Sequence, residues 1–521
     1  VFQYESSKLG LQSGARQREE AAMQICRQLY ERTGLTIYLE KGFEIAERTK
    51  AAVLLEALRD NLIGQKLRNN PQYKMLSTLR QTAAWYRKQL ILEPQNEMAG
   101  QWRSDLDELT GRINTLRNSI PELNRLEAAA SKHPGTPPGT FSSGENWVEY
   151  FVGAQFVEIF SGKGTTASAW NRLPNDEVLQ VQVQKFQSFF SNASAILNDP
   201  AGYLQTAFLL HQKLLPDAIP ASTQLLIIPD GFTHFIPFEA LVTEMTSNRI
   251  SLRNASYLIR KRQIRYAWSL RSLQEQAAMQ SQATGFFLGV APLFENRERG
   301  LSPLPASREE WIRLGQNSDQ LIGNQAVAAS FLSRAGNYRI LHLSTHAFAG
   351  TDPASPPRIE LFDQALLLPD IYALSLQSDL VVLSACETGI GAEQKGEGVM
   401  SLSRAFAQAG AAGIISSLWT VNDRTTSLIF RDFYQLIGDG ETTGTALRLA
   451  KLRYLENDDI SATQQSPYFW AGLVEVGADR KITDVDMLSI FQVTCILLGI
   501  VALLCVYLNR RRIRAFFKQF V

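Results

Sequence analysis

Apolar positions follow two different rhythms along this chain, one up to about residue 131 and another from residue 147. In the first part they recur three and four apart. The stretch ICRQLYERTGLTIYLEKGFEIAERTKAAVLLEAL, within Ala15 to Leu62, keeps that spacing with a break at Thr33-Gly34, and predicts a helical pair. A narrower seam follows. Leu76, Leu79, Ala83, Tyr86 and Leu90 are succeeded, across EPQNEMAG, by Leu106, Leu109, Ile113, Leu116, Ile120 and Leu123. Two such seams with a short connection predict an antiparallel helical hairpin. Pro121 is expected to kink or restart its second helix, because proline lacks the N–H that the ladder needs. The expected units are therefore 1–70, a helical TPR-like remnant of a repeat array, and 71–131, the hairpin. A Pro-, Gly- and Ser-rich linker follows at 132–146.

The second rhythm is one of short continuous apolar runs. EYFVGAQFVEIFSGKGTTASAW predicts a β-hairpin turning on Gly-Lys-Gly. Its SGKG is no phosphate loop, which needs Ser or Thr directly after the lysine, and Gly164 follows Lys163. Strand-like runs at Gln224–Pro229, Gly285–Val290, Arg339–Leu343, Leu380–Leu383 and Gly413–Leu418 then alternate with helical patterns. The helical patterns are at Val178–Phe190, Gln205–Leu215, Leu270–Met279, Ala326–Arg334, Val399–Ala407 and Thr425–Leu436. That alternation predicts an α/β fold, a mostly parallel sheet covered by helices. Reactive groups in such sheets collect beyond the strand carboxyl ends.

Met487–Leu508 breaks both rhythms. It has no charged residue across 22 positions and is followed by Arg510, Arg511, Arg512 and Arg514. A helix of that length spans about 30 Å, so one C-terminal transmembrane helix is expected, with a basic tail at 509–521. This makes the protein a single-pass membrane protein, with a bacterial cytoplasmic membrane the expected location. The positive-inside rule places the tail in the cytoplasm. A chain starting at Val1 instead of Met is expected to continue upstream. With an export signal there, the large domain lies outside; without one, it faces the cytoplasm.

Composition narrows the function. A formal net charge of +1 over 521 residues gives no global field for nucleic acid. The four cysteines, Cys26, Cys386, Cys495 and Cys505, form neither a disulfide framework nor a zinc pattern. Two scarce residues nevertheless stand just past strand-like runs: His346 after YRILHLST and Cys386 after LVVLSA. An imidazole beside a cysteine can take its proton and leave the nucleophilic thiolate. Small residues around them (Ala347, Ala385, Thr388, Gly389, Gly391) leave room for backbone N–H groups to reach a carbonyl oxygen. The bland alternative is a cysteine packed as a small hydrophobe. His342 and His346 are four apart, but no Asp, Glu or second Cys stands at ligand spacing, so no metal site is expected. His342 is instead expected to hydrogen-bond beneath the site. No GxSxG occurs, which argues against a serine hydrolase of that fold.

From about Trp147 to Gly477 the chain resembles the CHAT domain family of caspase- and separase-like cysteine peptidases. The matching segments come in order: LLIIPDGFTHFIPFEALV, RILHLSTHA, LSACETGIG, GEGVMSLSRAFAQAGAAGIISSLWTVND and SPYFWAGLVEVG. The resemblance implies a caspase-like domain over 147–478, with His346 as general base and Cys386 as nucleophile. It implies an oxyanion hole from the backbone at Ala347 and Cys386, and no cofactor. Asp423 matches an aspartate that in separase-like members lines the pocket for the residue before the cut, where a carboxylate favours Arg or Lys. The other reading of Asp423 is a helix N-cap. The family usually has Gly after the histidine, where this chain has Ala347. The expectation is a membrane-anchored cysteine endopeptidase acting on protein or peptide, with a regulatory protein partner on its helical region. The alternative is a catalytically silent scaffold of the same fold.

Overall fold

The computed structural model describes residues 2–132, 145–215, 224–245, 251–312, 314, 318–350, 355–385, 388–389, 391–394 and 398–483. The first part is helical: α1 (Phe2–Thr33), α2 (Thr36–Arg48), α3 (Ala52–Leu67), α4 (Pro71–Leu92), α5 (Ala99–Ser119) and α6 (Pro121–Lys132). Two breaks have clear causes. Gly34 supplies φ +66 between α1 and α2, the left-handed angle that only glycine adopts without cost. Pro121 begins α6, where its missing N–H costs nothing. A second break was not visible in the spacing: Ala51, at φ 49, separates α2 from α3, so the expected helical pair is three helices.

The strands are β1 (Asn146–Val152), β2 (Phe156–Lys163), β3 (Thr166–Pro174), β4 (Gln224–Ile228), β5 (Gln263–Tyr266), β6 (Gly285–Ala291), β7 (Ser318–Ile322), β8 (Tyr338–Ser344), β9 (Ala347–Phe348), β10 (Arg358–Glu360), β11 (Ala365–Leu367), β12 (Leu380–Ser384), β13 (Gly391–Gln394), β14 (Gly398–Ser401), β15 (Gly413–Ser417) and β16 (Leu473–Gly477). Between them lie α7 (Glu177–Ser188), α8 (Ala195–Asn198), α9 (Pro200–Leu214), α10 (Leu258–Lys261), α11 (Leu270–Ala278), α12 (Ala328–Arg334), α13 (Leu368–Tyr372), α14 (Leu402–Gln408), α15 (Asp423–Gly438), α16 (Thr443–Glu456) and α17 (Pro467–Trp470).

Among the described residues eleven strands form one sheet in the order β3-β2-β1-β4-β5-β16-β15-β12-β8-β6-β7. Its pairings are parallel except at β3/β2, β2/β1 and β16/β15. The continuous apolar runs are explained by helices on both faces. In β12, Leu380 and Val382 enter one core while Val381 and Leu383 enter another; β15 divides Ile415 and Ile414 the same way. The fold is thus mixed α/β with a large, mostly parallel sheet and an N-terminal helical region.

Two expectations are corrected. The hairpin near residue 150 is a three-stranded meander, because Gly153–Gln155 turns the chain once before the Gly164 turn does so again. Val399 is strand, not helix: Ser401 caps α14 by accepting from the Arg404 amide, so the helix begins at Leu402. The connection from Ala347 to Ser375 folds as a small antiparallel sheet, β11-β10-β9, before the short α13. Residues 133–144 of the expected linker, and all of Met487–Leu508, lie outside the described residues. Among the described residues no helix is long and apolar enough to cross a membrane.

α1 and α2 are laid onto the antiparallel end of the sheet. Met23, Leu39, Ile45 and Ala46 share a core with Trp147, Phe151, Phe160 and Trp170. Two buried cations reinforce it. Arg16 pairs with Asp230, and Lys50 Nζ lies 2.7 Å from Glu149 Oε1, with that carboxylate wholly out of solvent. Burial tends to raise the Asp230 pKa, but Arg16, Lys50 and the Val152 amide outweigh it and leave the carboxyl below its usual range.

Candidate functional site

β8 and β12 are parallel neighbours in register, with Ser344 opposite Ser384. His346 stands two residues beyond the first and Cys386 two beyond the second. Cys386 itself lies outside the described residues, but its flanks are fixed. Ser417 Oγ donates to the Ala385 carbonyl, Ser417 N donates to Thr388 Oγ1 at 3.0 Å, and Gly389 N donates to the Ser417 carbonyl at 2.8 Å. Gly389 must be small here, since a Cβ would sit 3.0 Å from that same carbonyl. One serine of β15 therefore holds the loop on both sides of the cysteine.

The His346 ring is half-buried against Phe294, with ring centroids 5.5 Å apart. Its Nε2 lies 2.7 Å from the Ser302 carbonyl oxygen. A carbonyl only accepts, so Nε2 carries the proton, and in the neutral ring Nδ1 is left with the lone pair. A base needs that lone pair. Ala347 starts β9 and is not among the residues with positive φ, so its methyl group meets no backbone strain.

Asp423 is the first residue of α15, and the neighbouring Asn422 is its N-cap, accepting from the Thr425 amide at 3.1 Å. The capping reading of Asp423 is thereby corrected: Asn422 has the extended backbone a cap requires, at φ -86 and ψ 121, while Asp423 is already helical. Asp423 Oδ2 instead accepts from the Ala306 amide at 3.0 Å. Burial and the Glu310 charge push its carboxyl above the usual range, against the downward pull of the Ala306 amide, the Ser307 hydroxyl and His346. His346 and Asp423 are thus close enough to feel one another.

Several participants were not visible in the sequence. The loop after β6 carries Leu293, Phe294, Arg297 and Arg299, all with φ between 51 and 63. Left-handed backbone at bulky residues is costly and persists only where surroundings impose it. Here they do: Leu304 N donates to the Leu293 carbonyl, and Arg299 pairs with Glu360 at 2.6 Å. Beneath the site, His342 is wholly buried between Tyr434 and Glu310, each 2.6 Å from one ring nitrogen. His342 was expected to hydrogen-bond beneath the site, and it does; nothing in the sequence pointed to Glu310 as its partner.

Of the other motif segments, Asp230 and Glu239 serve the scaffold. Asp230 accepts from Arg16 and the Val152 amide, and Glu239 pairs with Lys451. Among the described residues no group of His, Cys, Asp and Glu is arranged to hold a metal ion.

A family model described as CHAT domain matches residues 200–478. Among curated proteins the chain is similar to Tetratricopeptide repeat protein 28 of Homo sapiens, at 31% identity over 127 residues, and to that of Mus musculus, at 30% over 127 residues. Each match covers 24% of this chain and 5% of the relative, so the chain spans a small part of the length of these relatives. Among solved structures it is similar to the Saccharomyces cerevisiae separase-securin complex, with a TM-score of 0.34 and 11% identity over 76% of this chain and 27% of that one. It is also similar to the complex of Porphyromonas gingivalis RgpB pro- and mature domains, with a TM-score of 0.34 and 12% identity over 59% of this chain and 76% of that one.

Proposed function

The chain belongs to the CHAT domain family, whose model matches more than half of it, and on that premise we propose that it is a cysteine endopeptidase with His346 and Cys386 as its reacting pair. The observation that carries this reading is the His346 tautomer. With Nε2 donating to Ser302, the ring offers Nδ1 as proton acceptor beside the strand end from which Cys386 follows. Nδ1 takes the thiol proton, and the Cys386 thiolate attacks the substrate carbonyl. The backbone N–H groups at Ala347 and Cys386 receive the oxyanion. Collapse to the thioester releases the amine, which leaves with the proton held on Nδ1. Water then adds, His346 takes a proton from it, and the acid departs as the thiol reforms.

Asp423 is the proposed binding group for a basic residue before the cut. One of its oxygens is engaged by Ala306, and the carboxylate retains acceptor capacity for a guanidinium or ammonium. The helical region takes a regulatory protein partner, and Met487–Leu508 anchors the chain in a membrane.

The test is cleavage of a peptide library by wild type and by Cys386→Ala. Wild type is expected to cut after basic residues, Cys386→Ala to cut nothing, and Asp423→Ala to lose the basic preference. Cleavage that survives Cys386→Ala removes Cys386 as nucleophile. A wild type that cuts nothing, with or without candidate partners, favours a scaffold. Removing residues 484–521 is expected to release the protein from membranes that survive an alkaline wash. Membrane retention without that segment would exclude it as the anchor.

A further inference from the structure

The segment from Ser302 to Glu310 runs back along β8 and touches it at successive positions. Ser302 meets His346 through its carbonyl, Ser307 meets Ser344 hydroxyl to hydroxyl at 2.8 Å, and Glu310 meets both Ser344 and His342. Glu310 Oε1 lies 2.6 Å from Ser344 Oγ, and its Oε2 lies 2.6 Å from His342 Nε2. Ser344 Oγ is the donor in both of its contacts, and a hydroxyl has one proton, so that proton is shared between Glu310 Oε1 and Ser307 Oγ. Ser307 Oγ also lies 3.5 Å from Asp423 Oδ1, at the limit of a hydrogen bond, so the Ala306 amide is the firmer link to α15.

The far side of His342 is equally defined. Its Nδ1 lies 2.6 Å from the Tyr434 hydroxyl on α15. Burial, and behind it the Glu310 charge, hold that phenol well above its ordinary pKa, so it remains a hydroxyl. Trp311, Phe430 and Phe287 box the ring, the first two with centroids 5.0 Å away. Gly289 makes room for Trp311, since a Cβ there would lie 2.7 Å from the indole. Glu310, His342, Ser344 and Ser307 are all at most 2% exposed. A carboxylate in an aromatic box, satisfied at both oxygens, has few alternative positions.

The two ends of the segment therefore differ in kind. Its Glu310 end is buried and held from β8 and, through His342, from α15. Its Ser302 end is at the surface and holds the ring proposed to do chemistry. We propose that Glu310 and His342 are positioning residues, whose contact sets the segment's register on β8 and so places the Ser302 carbonyl on His346 and the Ala306 amide on Asp423. This rests on the peptidase reading for its consequence, but not for its geometry.

The test uses the full chain, with Glu310→Gln as the main variant and Ser344→Ala as a milder one. Glutamine keeps the volume and loses the charge. Two signals are read. One is the rate of Cys386 alkylation by iodoacetamide against pH, followed by mass spectrometry of the tryptic peptide. The other is the imidazole nitrogen resonances of His346, assigned by their loss in His346→Gln.

Wild type is expected to react fast at neutral pH and to show His346 protonated at Nε2. Glu310→Gln is expected to slow alkylation by between about tenfold and a hundredfold, the scale of a misplaced reacting group, and to leave His346 exchanging between tautomers. Ser344→Ala should move both signals less, in the same direction. If Glu310→Gln lowers only the melting temperature and leaves both signals at wild type, the pair is a structural brace and the proposal fails. Should Glu310→Gln not fold, Ser344→Ala decides on the same two signals. If wild-type Cys386 reacts no faster than an ordinary thiol, the peptidase reading falls, and the His346 resonances alone decide this one.

Discussion

At the scale of single residues, the buried charges are what a substitution would expose first. Lys451 and Glu239 are paired almost wholly out of solvent, and the ammonium also donates to the Leu473 carbonyl. Burial pushes the Glu239 carboxyl up and Lys451 pulls it back. Removing the cation alone strands a buried carboxylate. Lys451→Met is therefore expected to cost about 3–5 kcal/mol, read as a fall in the urea midpoint. Adding Glu239→Gln should recover much of that loss, because the two residues share one interaction. The partners lie 212 residues apart, so no local pattern could join them. The same holds for Asp423. The sequence reading put the cap of α15 at Asp423, and only the backbone angles decided for Asn422. By contrast His346 and Cys386 stood out because their residue types are rare and follow long apolar runs. The residues that brace His346 have ordinary types in ordinary surroundings, and Glu310 in SREEW reads as a solvated charge.

At the scale of elements, legibility followed apolarity. β4, β6, β8, β12 and β15 are runs buried on both faces, and the sequence displays each of them. β5 is just as buried, yet it carries Gln263 and Arg265. Arg265 is accommodated by a bidentate pair with Glu145 and by the Gly477 carbonyl. A strand whose polar residues are satisfied by distant partners has no apolar signature. β9, β10 and β11 are two or three residues long, too short for any period.

β16 carries a charge with a measurable consequence. Burial, with Asp479 nearby, raises the Glu475 carboxyl to about 8, despite Arg265 and the Thr443 hydroxyl. Between its usual value and about 8 the folded chain holds a proton that the unfolded chain has released. Stability from this group is complete at acid pH and is lost as pH rises through about 8. Glu475→Gln removes that slope. Its melting temperature should gain on wild type between about pH 5 and about pH 8.5, by the equivalent of about 4 kcal/mol. A constant difference across that range would place the ionisation elsewhere.

At the scale of the whole molecule, the helical region and the sheet share a core. Taking away the chain up to and including Lys50 would uncover Trp147, Phe160 and Trp170 and leave Asp230 and Glu149 without their cations. Burial already drives Glu149 well above its ordinary range, with Lys50 the main opposing influence. A fragment starting at residue 145 is therefore expected to bind a hydrophobic dye and aggregate, whereas one starting at residue 15 and ending at 483 should unfold cooperatively. Similar behaviour of the two fragments would mean that the helices are a detachable module. The sheet has its own seam. Among the described residues β16 is the last strand in sequence, yet it lies between β5 and β15 and joins the two halves. It also pairs Leu473 with Ser417, the residue that steadies both flanks of Cys386. On the ribosome, which adds roughly 5–20 residues per second, His346 and Cys386 emerge seconds before that strand does. A nascent chain that holds both, and β15 as well, still lacks the strand that lies between β5 and β15. Translation thus sets the order of events: the strand that joins the halves arrives after the residues of the site.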